Sequence, residues 1–244
     1  MYEDQVAEEL VRWKRRLMKR PSMTGRYTKG IQAKMNKMVP EKIHTVVTAS
    51  IKNMVHATLV GSEYTLQKQP EQALSLKERE EKVRSLTSTY KRTAALEGAG
   101  TGAGGILLGM VDFPLLLSIK MKYLFDTASA YGYDVRDYRE RLFVLLLFQL
   151  AFAREDKREG LIYRIENWEE ERLRLPEKEE YLNHVDWKEF QLDYRDYIDL
   201  AKMFQLIPGF GAIVGAVANY RFLDVLSETA MNGYRIRWLA DEHE

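Results

Sequence analysis

Apolar residues recur at helical spacing along most of the chain, and sustained alternation of apolar and polar positions is absent. Val6, Leu10, Trp13 and Leu17 advance by four, three and four, which puts them on one face of a helix over residues 5–20. Lys14, Arg15, Arg16, Lys19 and Arg20 cover much of the remaining surface, and Pro21 is a stop signal. Ser75 followed by Glu78 matches a capping box, so a helix over about 76–97 should present Leu76, Val83, Leu86 and Tyr90 and end into Gly98. Pro114 suits a first helical turn and Gly132 a C-terminal cap, which brackets an apolar helix at 114–131. Asp137 with Glu140 opens the next helix, containing the run from Leu142 to Ala153 that only Gln149 interrupts. A charged helix is expected at 155–174, halted before Pro176, and Asp186 with Glu189 starts another that runs to about Leu206. Pro208 and Gly209 break it, and a last helix covers roughly 211–239. The pattern predicts an all-α fold, a multi-helix bundle in one domain over residues 1–244.

Two glycine-punctuated apolar segments, 98–119 and 203–220, organise this pattern. Gly105 and Gly109 are spaced as GxxxG, and so are Gly211 and Gly215, a spacing that lets helix backbones approach closely. Two glycine-rich, hairpin-like helical segments packed at the centre of the bundle are therefore expected. Residues 98–119 are uncharged except at Asp112, and a helix of that length reaches about 33 Å, enough to span a bilayer. Six glycines, Asp112 and Pro114 inside the window argue against a simple span. The runs at 142–153 and 203–220 are too short, the second also being broken by Pro208-Gly209. Asp112 is expected to cap the helix that begins near Pro114, where a carboxylate meets the positive end of the dipole. Asn219 is its uncharged analogue in the second segment, within hydrogen-bond reach if the two segments pack together.

The charge balance changes the picture only through its distribution. The totals are 37 basic and 36 acidic side chains, a net charge of +1. Residues 10–52 hold twelve Lys or Arg against Glu41 alone, whereas 155–199 hold fifteen acids and eight bases. The basic amino-terminal region (1–60) thus has three readings. It binds anionic lipid headgroups with Trp13 at the interface and Arg15, Arg16, Lys19 and Arg20 on the phosphates, it binds nucleic acid, or it packs against the acidic 155–199 region. No nucleic-acid-binding module accompanies it, so nucleic acid is not the expected partner. The chain has no cysteine, which removes disulfide and thiolate chemistry and fits a reducing compartment. The first thirty residues contain no apolar run of the kind a signal peptide needs. A cytoplasmic location is expected, peripheral to the inner face of the membrane.

Familiar catalytic patterns lack their context. Gly100-Thr101-Gly102-Ala103-Gly104-Gly105 formally matches GxGxxG, but the preceding residues read as a helix, not as the strand a dinucleotide site requires. No Lys-Ser or Lys-Thr pair follows, which excludes a P-loop. His44, His56, His184 and His243 lack metal-ligand spacing, and there is no GxSxG elbow. No cofactor or metal is expected. Trp187, Phe190, Tyr194, Tyr197 and Phe204 follow helical spacing, as core or partner-facing residues do.

Three stretches together resemble the EcsC family. They are Gly100-Thr101-Gly102-Ala103-Gly104-Gly105 continuing to Asp112-Phe113-Pro114, then Tyr131-Gly132-Tyr133-Asp134, then Ile207-Pro208-Gly209-Phe210-Gly211-Ala212 leading past Gly215 to Asn219. The flanks Pro40-Glu41-Lys42-Ile43-His44, Leu59-Val60-Gly61-Ser62 and Asp193-Tyr194-Arg195-Asp196-Tyr197-Ile198-Asp199 extend the resemblance over most of the chain. It implies a genetic neighbourhood, a locus encoding an ABC transporter, and no catalytic residue. Transporter subunits and an anionic membrane surface are the expected partners of a non-enzymatic accessory protein. The alternatives are a binder of a lipid or other apolar small molecule between the glycine segments, and an enzyme using Asp112.

Overall fold

A computed structural model describes residues 1–19, 41–60, 73–101, 113–184, 186–190, 194, 198 and 215–241. The helices are α1 (Tyr2–Met18), α2 (Glu41–Val60), α3 (Leu76–Thr101), α4 (Phe113–Ala130), α5 (Tyr138–Ala151), α6 (Arg158–Glu166), α7 (Trp168–Leu173), α8 (Lys178–His184) and α9 (Gly215–Asp241). A 3₁₀ turn at Glu155–Lys157 precedes α6. The expected all-α bundle is observed, and the described residues show no strand beyond one isolated bridge between Ala153 and Ile198.

The helix ends follow local chemistry. Ser75 donates its N–H to Glu78 Oε2 at 2.9 Å while Glu78 N–H reaches Ser75 Oγ at 3.4 Å, the reciprocal capping box that opens α3. Gly132, at φ 92°, closes α4: its N–H bonds Ser129 O at 3.0 Å and Tyr133 N–H bonds Ala128 O at 3.0 Å, satisfying carbonyls the helix leaves free. Asp137 accepts from Arg139 N–H at 2.9 Å to begin α5, and Asp186 accepts from Lys188 and Glu189 N–H, both at 2.9 Å.

Two boundaries differ from expectation. Helix α3 does not stop at Gly98 but runs through Gly98 and Gly100 to Thr101. The charged stretch 155–174 is not one helix but the 3₁₀ turn, α6 and α7, with Asn167 at the joint donating its side-chain amide to Tyr163 O at 2.7 Å.

Helix α9 is the spine, packed against α1, α3, α4, α5 and α6. It lies antiparallel to α3, as shown by Arg235 on Glu80, Ser227 against Thr87 at 3.0 Å, and the ion pair of Asp224 with Lys91. Helix α4 is also antiparallel to α3, through Tyr90 on Asp126 at 2.8 Å and Arg79 on the Ala130 carbonyl at 3.2 Å. Buried Arg141 ties the end of α2 to the start of α5 by donating to the carbonyls of Leu59, Val135 and Arg136. The core gathers Phe143, Leu147, Phe148, Phe222, Leu223, Leu226 and Tyr234, all fully buried.

Candidate functional site

The amino-terminal helix is where the chain's charge meets its fold. Val6, Leu10 and Trp13 are buried on the core side of α1, and the last turn carries Arg15 and Arg16 where cations favour the helix dipole. Polar clasps hold it down along its length. Tyr2 donates to Glu80 Oε2 at 2.8 Å, Glu9 meets Arg235 Nη1 at 3.1 Å, Lys14 reaches Glu166 at 2.5 Å and Arg16 reaches Glu228 at 2.8 Å. Arg158 donates to the carbonyl of Leu17 at 2.8 Å. A hydrogen bond from Gln5, helped by Arg235 and opposed by partial burial, holds the Glu9 carboxyl below its ordinary pKa. Arg12, Arg15 and Lys19 stay exposed on the outer side.

Beside α1, an open groove of about 750 Å³ is bordered by Arg12, Trp13, Arg16, Arg84, Met231 and Arg235. Behind the lining residues Arg235 and Arg84, fully buried Glu80 takes both Nε and Nη2 of Arg235 at 2.7 Å, and Arg84 adds a bond at 2.9 Å. Burial alone depresses the Arg235 guanidinium, and the Glu80 pair more than reverses this, leaving its pKa raised. Two residues on, Arg237 points to the other side of α9 and pairs with buried Glu140 at 2.8 Å, while Tyr234 donates to Glu140 at 2.9 Å. The Tyr133 ring lies 3.8 Å beneath the Arg237 guanidinium.

A second cavity, of about 210 Å³, lies between α5 and the acidic region. Leu142, Leu145, Leu146, Phe190 and Tyr194 give it apolar walls, and the Arg164–Glu171 ion pair, at 2.5 Å, forms part of its lining. Among the described residues no group of three His, Asp or Glu is placed to hold a metal ion.

Trp13 is docked on the bundle in this structure. Expected to sit at a lipid interface, it is only 4% exposed and packs in the core, because its position on the Val6–Leu10 stripe is the face α9 and α6 need. Arg15 and Lys19 face outward as expected, Arg16 is exposed but paired with Glu228, and Arg20 lies outside the described residues. So do Gly102, Gly104, Gly105, Asp112, Pro208 and Gly211, and with them the expected glycine hairpins and the Asp112 cap. Gly100 and Thr101 end α3, exposed Pro114 is the second residue of α4, and Gly215 and Asn219 lie in the first turns of α9. Continuing the antiparallel register of α3 with α9 to the helix ends sets Gly100 level with Gly215, at the end of the bundle where α4 begins. Tyr131 and Gly132 are not part of that end, since the length of α4, about 27 Å, separates them from it. Tyr131 instead stacks on Tyr234 at 5.0 Å, and its buried hydroxyl has no hydrogen-bond partner among the described residues.

The buried charges Glu80, Arg235 and Arg237 were not singled out by motif, and Glu140 was read only as the partner of Asp137 at a helix start. A signal existed: Glu80 lies between Leu76 and Val83 at steps of four and three, on the apolar stripe itself. The basic region does meet the acidic one, through Lys14 and Glu166.

The EcsC protein family matches residues 4–239. The chain belongs to the EcsC protein family. It is 49% identical over 236 residues to Protein EcsC of Bacillus subtilis (strain 168), covering 97% of this chain and 96% of that one. It is also 33% identical over 148 residues to uncharacterized protein YdbA of the same organism, 59% of this chain and 52% of that protein. No solved structure matches this EcsC-family chain. Among its described residues no helix is long and apolar enough to cross a membrane.

Proposed function

We propose that this EcsC-family protein is a non-enzymatic accessory protein that binds the anionic inner surface of the cell membrane through its basic amino-terminal region, beside ABC transporter subunits. The observation that carries the reading is the exposed basic carboxy-terminal half of α1, which follows an acidic first half with Glu3, Asp4, Glu8 and Glu9. Arg12, Arg15 and Lys19 face solvent there, and the sequence continues with five more Lys or Arg and no acid over residues 20–40. Such a segment gains on the order of 1 kcal/mol per cation near an anionic bilayer, and the gain fades with salt. Co-sedimentation with phosphatidylglycerol-containing vesicles, against phosphatidylcholine alone, tests it. Substituting Arg15, Lys19 and Arg20 by Gln should weaken anionic-vesicle binding on the order of a hundredfold. Equal sedimentation with and without anionic lipid refutes the reading.

The cavity between α5 and the acidic region favours a second reading, a binder of a small apolar molecule. Its leucine and aromatic walls suit an apolar body, and its size exceeds that of a one-ring site at about 150 Å³. Native mass spectrometry of protein purified without detergent should then show a retained mass that Leu146→Trp displaces.

A further inference from the structure

We propose that α1 is a latch whose apolar face, docked here on α9 and α6, is also its bilayer-seating face, and that an anionic lipid surface draws it off the bundle. This rests on the surface-binding reading above and specifies its partner contact. Of the described helices, α1 has the sharpest separation of an apolar from a charged side, the character of a helix that lies in a lipid interface. In the docked form that apolar side is closed off: Trp13 cannot reach lipid while it is 4% exposed.

The clasps that keep it closed are the kind lipid phosphate competes with. Lys14 and Arg16 are held by single carboxylates on the rim, Glu166 and Glu228, with the Arg16 pair more than half exposed on both sides. An anionic headgroup offers the same cations an oxygen acceptor of the same charge. Val6, Leu10 and Trp13 would leave one apolar environment for another, so the apolar cost of release is the surface uncovered on α9 and α6. The groove along Trp13, Met231 and Arg235 shows that α1 is not closely packed on that flank. Beneath it, Glu80 and Arg235 keep each other and Arg84 once Tyr2 and Glu9 depart, so release leaves no bare buried charge. Opening therefore costs chiefly the apolar surface uncovered on α9 and α6 and the Arg158 bond to the Leu17 carbonyl.

The absence of cysteine makes an introduced pair unique. Arg16→Cys with Glu228→Cys, bridged by a reductant-cleavable bismaleimide, pins α1 to α9 at two solvent-exposed positions. The bridged protein should bind phosphatidylglycerol vesicles at least about tenfold more weakly than the same variant capped with N-ethylmaleimide, and cleaving the spacer should restore binding. Equal binding of bridged and capped forms overturns the latch and leaves the surface reading standing; no vesicle binding by the unmodified chain overturns both. Glu166→Gln with Glu228→Gln gives an independent measure that leaves α1 intact. It should raise vesicle affinity about fivefold beyond the effect of Glu179→Gln with Glu180→Gln, exposed acids on α8. Equal gains from the two pairs would mean bulk charge alone, and would overturn the latch.

Discussion

Four hydrogen bonds converge on Glu80, three on Oε2 from Tyr2, Arg84 and Arg235 and one on Oε1 from Arg235, so both oxygens of a fully buried carboxylate are satisfied. Its neutral isostere keeps the shape and loses the charge that compensates Arg235. Glu80→Gln should therefore cost about 3–5 kcal/mol, read as a fall in the urea midpoint of unfolding. Tyr131 is the opposite case. Its hydroxyl is buried with no acceptor or donor among the described residues, and burial pushes its pKa well above the ordinary value. Tyr131→Phe keeps the stack on Tyr234 and removes an unmet polar group, so unfolding should become harder by about 1 kcal/mol. A loss of stability instead would show that the hydroxyl has a partner when the protein is folded in solution.

At the scale of elements, caps were legible because they are made by neighbours in sequence. Ser75 with Glu78, Asp137, Asp186 and Gly132 all act where their spacing indicated. Helix interiors were less legible, since packing overrides propensity there. Gly98 and Gly100 each weaken a helix by about 1 kcal/mol relative to alanine, yet α3 continues through them alongside α9. The stretch 158–173 is interrupted at Asn167, whose backbone N–H and side-chain amide both bond the Tyr163 carbonyl, at 3.0 and 2.7 Å, closing α6 before α7 begins, while Leu161, Ile165 and Trp168 keep to one buried face. Gly233, in the middle of α9, gave no motif at all. A Cβ there would lie 2.2 Å from Leu147 Cδ2, so the glycine sets how closely α5 and α9 approach. Gly233→Ala should cost about 1–3 kcal/mol through that clash, less the helical gain of alanine. Leu147→Ala, costly alone, should be less so in the Gly233→Ala background, and a double-mutant cycle measures the coupling.

Across the whole molecule, the charge polarity read from sequence has a visible structural use: the basic first helix lies against the acidic region and the spine through Lys14–Glu166, Arg16–Glu228 and Glu9–Arg235. What sequence could not tell was that the same helix gives its apolar stripe to the core, because an amphipathic helix suits a protein surface and a bilayer equally well. Acid should separate α1 from the rest. The Glu9 carboxyl titrates below its ordinary value when folded, so the unfolded chain binds more protons between the two values and stability rises with pH across that window. The stabilisation is fully present above the ordinary carboxylate value and disappears as pH falls through the lowered one. Glu9 faces Gln5 and Arg12 on its own helix and Arg235 on α9, and protonation leaves Arg235 to Glu80 and the Asn232 side chain. Amide exchange, corrected for its intrinsic pH dependence, should therefore rise in residues 2–18 on acidification before it rises in 222–237. Glu9→Gln should show faster α1 exchange at neutral pH and a flatter response to acid. A response as steep as that of the unchanged protein would assign the acid sensitivity to other carboxylates and remove Glu9 from the clasp.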